Sequence, residues 1–81
     1  MITELASKEK VIGVKQSRKA IRDGQAKQVY LACDADPAIT EPILSSCIQK
    51  GIPTEGNFTM TQLGQACGIT VGASVVVLLH R

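Results

Sequence analysis

The chain has no tryptophan, one tyrosine (Tyr30) and one phenylalanine (Phe58) in 81 residues. So few aromatic rings cannot build the stacking platform on which RNA-recognition and oligonucleotide-binding folds hold single strands. Histidine is equally scarce. His80 is the only one, and it lies beside the C-terminus, a poor place for a catalytic dyad. The three cysteines, Cys33, Cys47 and Cys67, form no C-x-x-C pair, so neither a zinc site nor a redox motif is expected. They read as small buried hydrophobes in a reducing compartment. No P-loop, no G-x-G-x-x-G and no Ser-His-Asp set is present; a catalytic function is not expected, nor a cofactor or metal. Asp34 and Asp36 resemble a carboxylate pair, but Asp36 precedes Pro37 as a helix N-cap would. The longest apolar run, Val75 to Leu79, is far too short to cross a bilayer. The first residues also lack a basic segment followed by an apolar one, so a cytoplasmic location is expected.

What the chain does have is an uneven charge. Residues 1–27 hold seven cations against three acids, and the remainder hold two cations against four acids, so +4 faces −2. One basic end implies a local anion-binding face. Its centre is GVKQSRKAIRDG, residues 13–24, where Lys15, Arg18, Lys19 and Arg22 share one helical face and Val14, Ser17, Ala20 and Ile21 the other. Gly13 leaves the first helical N–H groups open to an anion. A polyanion, most simply a nucleic acid, fits four cations facing one way; the competing reading is a solvated surface helix.

The rest of the chain alternates. Thr3 to Val11 reads as a short lead-in helix that ends before Gly13, and a second helix spans about Lys15 to Asp23 with Gly24 as its stop. Val29 to Cys33 is apolar throughout, as in a strand covered on both faces. Asp36-Pro37 opens a helix to Gly51, with Pro42 implying an irregular first turn or a second cap at Thr40. Residues 52–58 allow only a weak edge strand. Thr59 to Gln62 has capping-box form and opens a short helix to Gly68, and Val75 to Leu79 forms a last buried strand. The expected fold is a single α/β domain over residues 1–81, a three-layer α/β/α sandwich around a small mixed sheet, in the order α-α-β-α-β-α-β.

GVKQSRKAIRDGQAKQVYLACDADP and the later LGQACGITVGAS resemble the ribosomal protein L7Ae family, most closely its small bacterial members of the YbxF and YlxQ kind. The resemblance spans nearly the whole chain, and its most specific part is LG-x-A-x-G-x-x-x-x-A. It implies an α/β/α sandwich that binds kink-turn RNA, a sharply bent duplex with tandem sheared G·A pairs. The family motif G-x-N-E-x-x-K falls on Gly13, Lys15, Gln16 and Lys19. The resemblance implies that this helix start enters the RNA groove, with Lys15 and Gln16 facing guanine edges and Lys19 gripping phosphate. Lys15 and Gln16, a pair that small bacterial members commonly share with this chain, stand where archaeal and eukaryotic members typically carry Asn and Glu; both still donate to guanine acceptors, but the carboxylate acceptor is lost. The second implied contact is the loop Gly68, Ile69, Thr70, Val71 and Gly72, covering an extruded nucleotide. Ile69 and Val71 need cover from a partner or from the core, and either reading accounts for them. Thr61 and Gln62 occupy positions often basic in relatives.

The resulting expectation is a monomeric, non-enzymatic protein for structured RNA, ribosomal or regulatory, with neither DNA nor membrane as partner. The alternatives are an assembly module of the same fold without specific RNA recognition, and a small-anion sensor built on the Gly13 helix start.

Overall fold

In the computed structural model, which describes residues 9–80, four strands and three helices alternate. They are β1 (Lys10–Ile12), α1 (Val14–Arg22), β2 (Ala26–Leu31), α2 (Pro37–Lys50), β3 (Thr54–Glu55), α3 (Met60–Cys67) and β4 (Val75–Leu79). Every residue of β4 is buried, with Val75, Val76 and Val77 at 0% exposure. Because strand side chains alternate between faces, Val75, Val77 and Leu79 pack with Ala20 and Ile21 of α1 and Ile43 and Cys47 of α2. Val76 and Leu78 join Leu63 of α3, Tyr30 and Ala73 on the other face. This is the expected three-layer sandwich. Tyr30 and Phe58 pack tilted with centroids 6.2 Å apart, and buried Tyr30 serves the core.

The sheet order is β1-β4-β2-β3. β4 is antiparallel to both β1 and β2, and β3 pairs with β2 in parallel. β1 and β2 are therefore parallel, so α1 and α2 each start at the same end of the sheet.

Lys10–Ile12 form a strand, not the tail of a lead-in helix; the rest of that expected helix, residues 3–8, lies outside the described residues. Pairing across the chain decides the matter: Val11 lies opposite Val77 and Ile12 opposite Val76, contacts between distant parts of the chain that no local pattern reveals. The order from residue 10 is thus β-α-β-α-β-α-β. β2 starts earlier than its apolar run because Ala26 and Gln28 pair with Leu79 and Leu78 across a bulge, and it ends at Leu31.

Helix ends follow the sequence closely. α1 stops in a Schellman turn, with Gln25 N–H on Ala20 O at 3.0 Å and Gly24 N–H on Ile21 O at 3.2 Å. Gly24 takes the required left-handed φ of 73°. Asp36 Oδ1 caps α2 by accepting from Ala38 N–H at 2.9 Å. α2 runs unbroken through Pro42 without a second cap at Thr40. The donor that Pro42 lacks would have met the carbonyl of Ala38; both residues are exposed, so water can take that carbonyl. Both halves of the capping box at Thr59 and Gln62 are made, at 3.1 and 2.9 Å. β3 is an edge strand of two residues.

Cys47 is buried and Cys67 half-buried, but Cys33 is exposed just beyond β2, which corrects the expectation of three buried thiols. Burial pushes the Cys47 thiol above its ordinary value of 9.0. The same cause raises Cys67, offset in part by Lys10. A thiol-disulfide reagent at neutral pH is expected to modify Cys33 rapidly and Cys47 only as the protein opens. Since the folded state keeps the Cys47 proton to higher pH than the unfolded chain does, its contribution to stability is intact below pH 9 and declines above it. Equal labelling rates for Cys33 and Cys47 in the folded protein would contradict this packing.

Candidate nucleic-acid interface

At the end of the sheet where β1 and β2 finish and β4 begins, three connections meet. Gly13 N–H donates to Val75 O at 3.0 Å, Ala32 N–H to Ser74 O at 2.9 Å and Ala73 N–H to Met60 O at 3.1 Å. The start of α1 and the loop before β4 are thereby fixed side by side. Gly13 is the N-cap of α1, with φ 101° and ψ 161°, and no side chain caps the helix. Only glycine takes that φ readily. The first N–H groups of α1 carry the partial positive charge of the helix end.

α1 divides as the sequence predicts. Ser17, Ala20 and Ile21 are buried, Val14 is half-buried against the core, and Lys15, Gln16, Arg18, Lys19 and Arg22 are exposed. Arg22 pairs with its neighbour Asp23 at 3.4 Å, with both side chains exposed, and such a pair contributes little. Lys15, Arg18 and Lys19 present charge without a carboxylate partner among the described residues. Lys19 and Arg22 also lie in the last turn of α1, where they favour the helix end. Ser17 Oγ is buried with no hydrogen-bond partner among the described residues.

The loop separates its two apolar residues. Ile69 is half-buried against the cluster of Leu63, Val76 and Leu78, whereas Val71 is 68% exposed. Ile69 thus packs on the core, and Val71 stands out beside exposed Thr70 and Gly68. Gly64, inside α3, explains why the loop sits so close. A Cβ there would clash with the Val71 carbonyl oxygen and would lie 3.1 Å from its carbon and 3.3 Å from Gly72 Cα. The loop is held by backbone contact with a helical glycine.

Other residues were not evident from the sequence alone. Asp34 Oδ1 accepts from Met60 N–H at 2.8 Å, which ties the loop after β2 to the start of α3. Gln62 completes the capping box, its side chain accepting from Thr59 N–H at 2.9 Å. Lys50, at the end of α2, faces α1 across a furrow; only a contact between helices could reveal it. His80 is exposed and its N–H donates to Gln25 O at 3.0 Å. No group of three or more His, Cys, Asp or Glu side chains able to hold a metal occurs among the described residues, and no helix among them is long and apolar enough to cross a membrane. The arrangement offers a polyanion a helix N-terminus, a row of unpaired cations and an exposed apolar side chain within one surface.

Residues 3–80 match the model of the ribosomal protein L7Ae/L30e/S12e/Gadd45 family. The chain is 39% identical over 70 residues to RNA-binding protein YbxF of Geobacillus stearothermophilus, covering 86% of this chain and 85% of that one. It is 38% identical over 73 residues to an RNA-binding protein of Caldanaerobacter subterraneus, covering 90% and 89%. Among solved structures it superposes on a 15.5kD RNA binding protein of Giardia lamblia with a TM-score of 0.83 and 29% identity. That match covers 89% of this chain but 61% of the longer Giardia protein.

Gly64→Ala should lower stability by about 1–3 kcal/mol, as overpacking does, despite the roughly 1 kcal/mol helix-propensity gain over glycine. Thermal and denaturant unfolding check this. An unchanged or raised melting temperature would mean that the loop is not held against α3.

Proposed function

The chain belongs to the ribosomal protein L7Ae/L30e/S12e/Gadd45 family, and from that premise we propose that it is a non-enzymatic RNA-binding protein that recognises kink-turn RNA. The observation that carries this reading is the hydrogen bond from Gly13 to Val75. It sets the open start of α1 beside a loop with an exposed apolar side chain, so that one bent ligand can touch both.

The division of labour follows from the chemistry. The N–H groups of α1 and the cations Lys15, Lys19, Arg18 and Arg22 neutralise phosphates, which supplies affinity with little sequence preference. Lys15 and Gln16, in the first turn, can donate to O6 and N7 of guanine in an opened groove. Val71, with Thr70 and the backbone of Gly68 and Ile69, covers a base turned out of the stack. A straight duplex satisfies the cations but leaves Val71 uncovered, so the loop confers preference for the bend. Val14 and Ile69 hold the two elements in place rather than meeting the ligand with their full side chains. The names of the relatives, RNA-binding proteins of 38–39% identity, support the ligand class. A monomer working in the cytoplasm, on ribosomal or regulatory RNA, fits this reading.

Two substitutions test it together. Lys19→Ala should weaken binding to kinked and straight RNA alike and reduce the salt slope by roughly 0.7–0.9, one phosphate contact. Val71→Ser should weaken kinked RNA alone, by ~1 kcal/mol for the lost apolar cover. Binding isotherms across a salt series separate the two effects. If neither substitution changes binding, the face is only solvated and the fold serves as an assembly module.

A further inference from the structure

α1 and α2 lie on the same face of the sheet and run the same way, both starting at the end where Gly13 meets Val75. Between them runs a furrow of about 740 Å3. Its floor includes the buried Ile21 and Ile43, its α1 wall carries Arg18 and Arg22, and its α2 wall carries Ser46 and Lys50. Not one of the lining residues is acidic. Asp23, which pairs with Arg22, is not among them.

A concave surface lined by one sign of charge over an apolar floor concentrates its field. The furrow extends from Val14 to Arg22, about 12 Å at the rise of an α-helix. Its cations are set along that length, from Lys15 in the first turn of α1 to Arg22 in the last and Lys50 in the last turn of α2, more than a single small anion could use. A chain of phosphates would meet them in succession.

We propose that this furrow carries the phosphate backbone of the RNA stem leading away from the bend, with Lys50 as its far anchor. The proposal rests on the RNA-binding reading above and extends the contact surface from the sheet end to the end of α2. It also gives Lys50 a role other than that of a cation in the last turn of its helix, where it would merely complement the helix dipole.

The test uses the full chain, its Lys50→Gln variant and kink-turn RNAs with each stem in turn either long or trimmed close to the bend. With both stems long, Lys50→Gln should bind several-fold more weakly, with a salt slope lower by roughly 0.7–0.9. With one particular stem trimmed, the wild type should lose that same increment and the substitution should have no further effect, because the two changes remove one contact. The proposal is overturned if Lys50→Gln binds long-stem RNA like the wild type with the same slope. It is also overturned if the loss persists equally on every trimmed RNA. A lowered melting temperature with unchanged binding would assign Lys50 to the helix end and equally reject it. Failure of the kink-turn reading looks different: the wild type then binds a straight duplex as well as a bent one. In that case the slope comparison on straight duplexes of two lengths still decides the furrow.

Discussion

β4 must be covered on both faces and paired on both edges, since none of its five residues is polar. Each such side chain contributes roughly 1.5–3 kcal/mol when removed from water, so cover on only one face would forfeit much of the core. α1 and α2 cover one face and α3 the other, while β1 and β2 pair on the two edges. Antiparallel pairing to β1 then leaves no freedom in where α1 begins. The chain leaves Ile12 opposite Val76 and turns at Gly13 against Val75. The loop that enters β4 ends at the same place, so the side-by-side placement of helix start and loop follows from the burial of a strand that itself touches no ligand.

The surface chemistry is set against this apolar frame. Among the described residues the exposed cations of α1 gain almost nothing from ion pairs and repel one another, a cost that the amphipathic inner face of α1 offsets by packing on the sheet. The loop is held differently. Gly64 is a poor helix residue on its own, yet it lets the backbone of Val71 approach α3 closely. Ile69 anchors the loop inward and leaves Val71 outward. An exposed apolar side chain on a loop held next to the start of a cationic helix is what distinguishes this surface from a generally basic one.

Much of this was legible in the sequence. The two faces of α1, the three glycine stops, the caps at Asp36 and Thr59 and the double burial of β4 all follow from local patterns, because each depends on neighbours within a few residues. β1 escaped because three residues carry no usable period and become a strand only through pairing with β4. The unbroken path of α2 through Pro42 depends on the exposure of Ala38. The separate fates of Ile69 and Val71 and the position of Lys50 opposite α1 depend on packing between elements distant in the chain. The resemblance carried by GVKQSRKAIRDG and LGQACGITVGAS pointed to the correct family, but it could not show why Gly64 is a glycine.

The most direct test compares the unaltered protein on two RNAs of equal length and charge, one with tandem G·A pairs that permit the kink and one with those pairs replaced by Watson–Crick pairs. Labels on the two arms report the bend while binding is measured. The first RNA should bind more tightly, with the arms drawn together at saturation, and the preference should persist as salt rises while affinity for the second RNA falls away. Equal affinity for both RNAs at every salt concentration, with no change in arm separation, would contradict kink-turn recognition.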